Sequence, residues 1–229
     1  VADSALGAAI SIGNGIVSQL DFHNAAASGR VLTLSGTSTD DNTFAPVVSD
    51  LTDAAAGRAF SSIVKNGVGT WVIASSGDAV NVDATVSINA GILGFTQGAL
   101  GGVSHTGTVT LADQTTLRWE SGNTSDLSSR LRAAAGATSV ALDFAGGSTT
   151  FASGVSLGST ELIKQGAGSL TLAGASTMTG PVTIEAGTVN VTQAAALGTG
   201  LVTLDGGTLR VNAAISNDIN VNSGGTLGG

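Results

Sequence analysis

Four aspartates lie close together in the first quarter of the sequence, at Asp40, Asp41, Asp50 and Asp53. Clustered carboxylates can bind Ca²⁺, which takes about six to eight oxygen ligands. They can also supply the acid and base of a polysaccharide-processing enzyme. Neither a D-x-D-x-D-G loop nor a G-G-x-G-x-D repeat surrounds them, however. The pattern therefore favours turn-forming aspartates in a solvated loop, and contact with a partner is the role left open for them.

Other residue types that support catalysis are sparse. The two histidines, His23 and His105, lie far apart, and the one G-x-S-x-G stretch, G-V-S-L-G at residues 154–158, has neither of them near it in the sequence. The absence of cysteine excludes thiol nucleophiles and thiolate metal sites. A lyase would also need a basic residue beside paired carboxylates, and the few cations are scattered. We therefore assign no catalytic, metal-binding or cofactor-binding residue and interpret both histidines as surface residues.

A second candidate for partner contact is the segment Ser125–Gly136, which carries Arg130 and Arg132. Leu127 and Leu131 are four residues apart, a capping Ser-Asp pair opens the segment and a glycine closes it. These signals predict a short helix that projects from the rest of the fold.

Composition indicates an extended repeat rather than a compact globule. Of 229 residues, 34 are glycine, aromatics make up 3 % and charged residues 10 %, against about 25 % charged residues in a typical globular domain. The surface must then consist of Ser, Thr, Asn and Gly, as on a long exposed sheet. With 16 acidic and 8 basic residues, the chain cannot neutralise a phosphate backbone. Nucleic-acid binding is therefore not expected.

One short pattern recurs along the chain: a glycine-containing turn, Ser or Thr, then alternating aliphatic residues. Clear copies read G-A-G-S-L-T-L, E-A-G-T-V-N-V, D-G-G-T-L-R-V and S-G-G-T-L. Alternation with period two is typical of β-strands, and a unit of about 20 residues cannot bury its own apolar face. Successive copies should therefore stack as parallel coils, about nine to ten rungs in all. The corner glycines are Gly69, Gly91, Gly147, Gly168, Gly187, Gly207 and Gly225.

A longer duplication lies over the short one. Residues 63–74, I-V-K-N-G-V-G-T-W-V-I-A, match residues 162–173, L-I-K-Q-G-A-G-S-L-T-L-A. In this alignment Trp71 takes the place of Leu170, and Trp119 likewise falls on an aliphatic position. Both indoles are therefore predicted to pack inside, with stacking on a carbohydrate as the alternative.

The chain is thus predicted to be one domain over residues 1–229 that contains two repeat cassettes. The cassettes cover about 63–122 and 162–229. Insertions are expected at about 37–60 and 123–138, and these would offer contacts to a host cell or to another copy of the chain.

Residues 162–200 resemble the autotransporter-associated β-strand repeat found in passengers of type V secretion, which begins K-x-G-x-G-x-L-x-L-x-G. Stretches A-G-T-V and A-L-G-T-G follow at residues 186–189 and 196–200. Residues 65–102 form a degenerate copy. The residues that match the opening pattern are Lys164, Gly166, Gly168, Leu170, Leu172 and Gly174.

The resemblance implies an all-β, right-handed parallel β-helix that crosses the periplasm and outer membrane and is displayed outside the bacterial cell. It implies a C-terminal translocator β-barrel in the same precursor, beyond Gly229. It also implies a non-catalytic stalk or adhesin scaffold that supports folding-driven secretion and needs no small-molecule cofactor. Because β-helix polysaccharide lyases and hydrolases share this architecture, an enzyme of that class is the alternative.

Overall fold

The computed structural model describes residues 2–4, 11–12, 31–45, 60–75 and 80–229. Within these ranges the regular structure is 21 β-strands and a single short 3₁₀ helix. Every strand pairing is parallel, and strands that are hydrogen-bonded neighbours in space are alternate strands along the chain. This connectivity is that of a β-solenoid.

Three parallel sheets run along the solenoid. Sheet 1 contains β1 (Ala2–Ser4), β3 (Val31–Gly36), β5 (Phe60–Lys65), β7 (Val80–Ile88), β9 (Val109–Leu111) and β11 (Leu131–Ala133). Sheet 2 contains β2 (Ser11–Ile12), β4 (Asn42–Phe44), β6 (Thr70–Ile73), β8 (Ile92–Phe95), β10 (Thr115–Trp119), β12 (Ser139–Phe144), β14 (Glu161–Gln165), β16 (Val182–Ile184), β18 (Val202–Leu204) and β20 (Ile219–Val221). Sheet 3 contains β13 (Ser148–Phe151), β15 (Ser169–Leu172), β17 (Thr188–Val191), β19 (Thr208–Val211) and β21 (Thr226–Gly228).

The prediction of an all-β solenoid of stacked parallel coils is confirmed. Sheet 2 contains ten strands, and the solenoid makes about seven turns, fewer than the nine to ten rungs predicted.

Alternation of side chains explains how the strands build the core. In β16, Val182 and Ile184 are buried while Thr183 between them faces outward. The register places Val182 over Val202 and Thr183 over Thr203, so that like residues stack in columns. Each fully buried Val, Leu or Ile contributes about 1.5–3 kcal/mol. Since a coil buries these residues only against its neighbours, stability comes from stacking.

Each of the seven predicted corner glycines directly precedes a strand. The first two precede strands of sheet 2, and the other five precede strands of sheet 3. Gly91 (φ +70°) and Gly187 (φ +66°) adopt the left-handed region, which non-glycine residues avoid. Coils also approach closely here. A Cβ on Gly91 would lie 2.5 Å from the carbonyl oxygen of Gly69 in the preceding coil.

The solenoid changes its strand pattern in the middle. β11, β12 and β13 follow one another in sequence and belong to sheets 1, 2 and 3. Before this coil, odd-numbered strands lie in sheet 1; after it, they lie in sheet 3. The duplicated segments therefore occupy different sheets, because residues 63–65 end a strand of sheet 1 and residues 162–164 lie in a strand of sheet 2.

An aromatic cluster fills the core around this coil. The ring of Trp119 stacks on Phe144, with 4.6 Å between centroids, and lies 5.0 Å from Phe95 and 5.8 Å from Phe151. Trp119 is 1 % exposed and Trp71 is fully buried. The predicted inward packing of both indoles is confirmed, and stacking on a carbohydrate is excluded for them in this fold.

The predicted helix over Ser125–Gly136 is wrong. Only Ser128–Arg130 forms a helix, a single 3₁₀ turn, and β11 then pairs with β9 in sheet 1. Leu127 and Leu131 are both fully buried. Their spacing of four therefore reflects a corner of the coil rather than one face of a projecting helix.

Within the other predicted insertion, residues 37–60, β4 belongs to sheet 2. Residues 46–59 of that insertion lie outside the described part of the chain.

Candidate functional site

Arg118 organises a charged cluster on the outer face of sheet 2. Its Nε donates to Oε1 of Glu120 at 2.7 Å, and its Nη2 donates to Oδ1 of Asp41 at 2.6 Å. Asp41 precedes β4, whereas Arg118 lies in β10, so this ion pair joins coils that are not direct neighbours. It can do so because Gly94 lies between them in β8, where a side chain would collide with Oε1 of Glu120.

Asp143 adds a third carboxylate to this cluster. It stands directly beside Arg118 in the neighbouring strand β12. Burial raises the pKa of Asp143, and the positive charges of Arg118 and Lys164 oppose that shift. A half-buried carboxyl with a raised pKa is a candidate proton donor. Because Arg118 is already neutralised by two carboxylates, the cluster is unsuited to binding an acidic sugar.

A shallow groove of about 310 Å³ crosses the same face of sheet 2. Its floor is formed by Thr116, Ala141 and Ile163, which stack in register on three successive strands, with Gln165 at one side. The groove is lined by both apolar and polar side chains and by no charged one, which suits a neutral polar ligand better than a charged one.

The corner after β14 contains a buried lysine. Lys164 is 1 % exposed, and its Nζ donates to the carbonyl oxygens of Gly166 at 2.7 Å and Gly168 at 2.8 Å. It also donates to those of Gln165 at 2.9 Å and Ala186 at 3.0 Å. The ammonium group is thus enclosed by four backbone oxygens.

A similar site occurs after β5. Lys65 is fully buried, and its Nζ donates to the carbonyl oxygens of Gly67 at 2.7 Å, Ala90 at 2.8 Å and Asn66 at 3.4 Å. Burial lowers the pKa of both Lys65 and Lys164 to about 8. Carbonyl hydrogen bonds favour the ammonium form and oppose this effect.

The lysines were not recognised as structural from the sequence, although a signal was present. In the stretch L-I-K-Q-G, Lys164 is two residues after Leu162, and alternation already places both on the inner face. The recurrence of lysine at this inward position in both cassettes marks the two corners.

Of the residues predicted to contact a partner, those that the structure describes lie in two separate places, before β4 of sheet 2 and at β11 of sheet 1. Asp40 and Asp41 are exposed before β4, while Asp50 and Asp53 lie outside the described residues. Arg132 is half-buried in β11, and its guanidinium donates to the carbonyl oxygens of Ser129 and Leu131.

The prediction that Arg130 contacts a partner is wrong, because its side chain is buried and cannot reach one. It is 2 % exposed. Its Nε donates to the carbonyl oxygen of Gly107 at 2.7 Å, and its Nη1 donates to that of Leu100 at 2.5 Å. The guanidinium therefore ties two parts of the coil together from inside.

The expectation of surface histidines fails for His105, which is 6 % exposed and accepts a hydrogen bond from the backbone amide of Gly102. His23 falls among the residues that the structure does not describe. Across the described ranges, no three His, Cys, Asp or Glu side chains are placed to hold a metal ion. In those same ranges, no helix has the length and apolar character needed to cross a membrane.

Comparison with models of protein families gives a match over the part of the chain that contains Lys164. Residues 162–191 match the family model of the passenger-associated-transport-repeat. No curated protein and no solved structure matches the chain. The matched segment covers β14 to β17, two strands of sheet 2 and two of sheet 3, and includes Lys164 and Gly187. The match to one repeat and the β-solenoid both fit the resemblance to an autotransporter passenger that the sequence shows over residues 162–200.

Proposed function

We propose that this chain is a non-catalytic stalk of a surface-displayed autotransporter and that its coil-by-coil folding supports export through the outer membrane. The observation that carries the proposal is the register: each coil's aliphatic residues lie directly over those of the coil before, as Val189 lies over Leu170. A folded coil is therefore a template for the next one. Outside the cell no ATP is available, so the free energy of stacking would drive chain movement.

The repeat match supports this proposal through the family it belongs to. A passenger is linked in its precursor to a C-terminal translocator and is secreted or displayed at the cell surface. On this proposal the chain is an extracellular scaffold. Contacts with host cells or with other copies would be made by exposed corners such as the one at Asp40 and Asp41.

Export of the precursor from a Gram-negative host tests the folding role. Val189→Asp places a charge in the buried core column, while Asn190→Asp makes a similar change at the neighbouring outward position. We expect Val189→Asp to reduce the passenger that protease can reach on intact cells, and Asn190→Asp to leave it unchanged. Equal surface amounts of the two variants would refute a folding-driven role.

Adhesion is tested separately on cells that display the chain. Asp40→Asn with Asp41→Asn should weaken attachment to host cells or aggregation of the displaying cells without changing the amount displayed. If attachment is unaffected by these changes, the corner is not the contact surface.

A polysaccharide-processing enzyme is the second candidate, favoured by the three carboxylates around Arg118 beside a groove on sheet 2. Asp143, with its raised pKa, would be the proton donor. Purified chain incubated with a panel of neutral polysaccharides would release products, and Asp143→Asn would abolish that release. No product from any polysaccharide would eliminate this candidate.

A further inference from the structure

Both buried lysines interrupt columns of aliphatic residues. In sheet 2, Lys164 is stacked directly between Leu142 of the preceding coil and Ile184 of the following coil. In sheet 1, Lys65 is stacked between Leu34 and Ile88. An aliphatic side chain would fit either position, so the shape of the core does not require lysine there. The presence of lysine at these two positions must therefore be explained by the interactions of its amine.

The carbonyl oxygens around each amine come from two coils. For Lys164, three belong to its own turn, and the fourth, that of Ala186, belongs to the turn that follows β16 in the next coil. For Lys65, the oxygen at 2.8 Å is that of Ala90, in the turn after β7. Each amine thus reaches forward along the solenoid by one coil.

We infer that Lys65 and Lys164 are latches between coils, each an internal cation whose carbonyl cage is completed only when the following coil has stacked. A buried ammonium group is costly unless it is hydrogen-bonded, and stacking of the following coil both buries each amine and adds a carbonyl oxygen to its partners. Ordering the lysine and docking the next coil are therefore coupled events. This inference goes beyond the export role, because it concerns how the chain folds whether or not it is secreted.

The coupling has a direction. The amine of Lys164 donates hydrogen bonds to its own coil and to the following one. Towards the preceding coil, Nζ instead lies 5.4 Å from the centroid of the Phe144 ring and interacts with the charge of Asp143. The following coil must also leave room for the amine. Gly187 does so, since a Cβ there would lie 2.6 Å from Nζ. The latch accordingly joins the coil of Lys164 to the following coil rather than to the preceding one.

Amide hydrogen exchange on the complete chain tests the latch. Lys164→Met removes the ammonium but keeps an unbranched side chain in the column. Hydrogen bonds to charged groups are strong enough that amides of the following coil, such as Glu185 and Thr188, should exchange at least about tenfold faster. Amides of the preceding strand β12 should change little. Leu142→Met, in the same column one coil earlier, is the matched control and should not produce this asymmetric pattern.

Two results would overturn the inference. One is unchanged exchange in β16 and β17 of Lys164→Met; the other is equal acceleration in β12 and in β16, which would mean that the lysine only fills space. If Lys164→Met does not fold, Lys65→Met provides the same test at the other corner, read at the amides of Asn89 and Ile92.

Acylation of the wild-type amine gives a second measurement that needs no lysine variant. Val189→Ala loosens the following coil and should raise the acylation rate of Lys164 several-fold. Val140→Ala loosens the preceding coil and should raise that rate much less. A rate that rises equally in both variants would show that the amine is not tied to the following coil.

Discussion

Lys65 and Lys164 hold equivalent positions in the two copies of the duplicated segment, yet Lys65 lies in sheet 1 and Lys164 in sheet 2. The same stretch of sequence therefore forms the corner from sheet 1 to sheet 2 in one half of the solenoid and from sheet 2 to sheet 3 in the other. The motif specifies a strand, a lysine-filled corner and a second strand, and it does not specify which faces of the solenoid these occupy.

Alkaline pH should stabilise the wild-type chain relative to the double variant Lys65→Met/Lys164→Met. Burial lowers the pKa of both amines from 10.5 to about 8. Between these values the unfolded chain binds more protons than the folded chain, so the free energy of unfolding rises with pH. Urea unfolding of both proteins across this window measures the effect. If the unfolding free energy of the wild type falls relative to that of the double variant as pH rises, the pKa values of the two amines in the folded chain must lie above that of free lysine.

Gly187→Ala should destabilise the solenoid more than Gly98→Ala. Both glycines have positive φ, +66° and +78°, and an alanine in this region costs about 1–3 kcal/mol. Only at Gly187 would the new Cβ also meet the carbonyl oxygens of Gly166 and Gly168 and the amine of Lys164, whereas nothing lies within 4 Å of Gly98. Urea unfolding compares the two variants, and an equal loss would show that close approach of the coils is unimportant.

Trp119→Ala should cost about 3–5 kcal/mol of unfolding free energy, as is typical when a large buried aromatic residue is truncated. It removes the stack on Phe144 and the hydrogen bond from Nε1 to the carbonyl oxygen of Ser125 at 2.9 Å. Val68→Ala, at a position 65 % exposed, is the control and should be nearly neutral. Denaturant unfolding followed by far-UV circular dichroism measures both. A cost below that of the control would refute the aromatic core.

Arg118→Ala should raise the pKa of Asp143 further above its usual range. Burial already raises it, and the charge of Arg118 opposes that shift. Stability should change by only about 0–1 kcal/mol, as for other partly exposed ion pairs. NMR titration of the Asp143 carboxyl measures the pKa, with Arg210→Ala on sheet 3 as the control. An unchanged or lowered pKa in Arg118→Ala would contradict the cluster described here.

The periodic parts of the fold were predictable because each depends on a local pattern. Alternation in stretches such as Val182–Ile184 indicated strands, and recurrence at corners such as Gly187 indicated stacked coils. Inward packing of Trp119 followed from its alignment with an aliphatic position. These features need only neighbouring residues and the repeat.

Features that depend on contacts between distant residues were not predictable. The spacing of Leu127 and Leu131 is the same in a helix and at a coil corner, and only packing against sheet 1 decides between them. Nothing local shows that Arg118 reaches Asp41, because Gly94 in an intervening coil makes the room. Burial of Lys164 likewise depends on the carbonyl oxygen that Ala186 supplies from the next coil.

The account rests on coils that stack in register, and distances between spin labels on sheet 2 test this most directly. The chain has no cysteine, so cysteines introduced at Thr116 and Asn220 would be labelled uniquely. Five register steps join these positions, through Ala141, Ile163, Thr183 and Thr203. At about 4.8 Å per parallel strand, the account predicts about 24 Å between the two backbones and about 19 Å when the second label is moved to Thr203. Distances that do not shorten by about one strand spacing would contradict it.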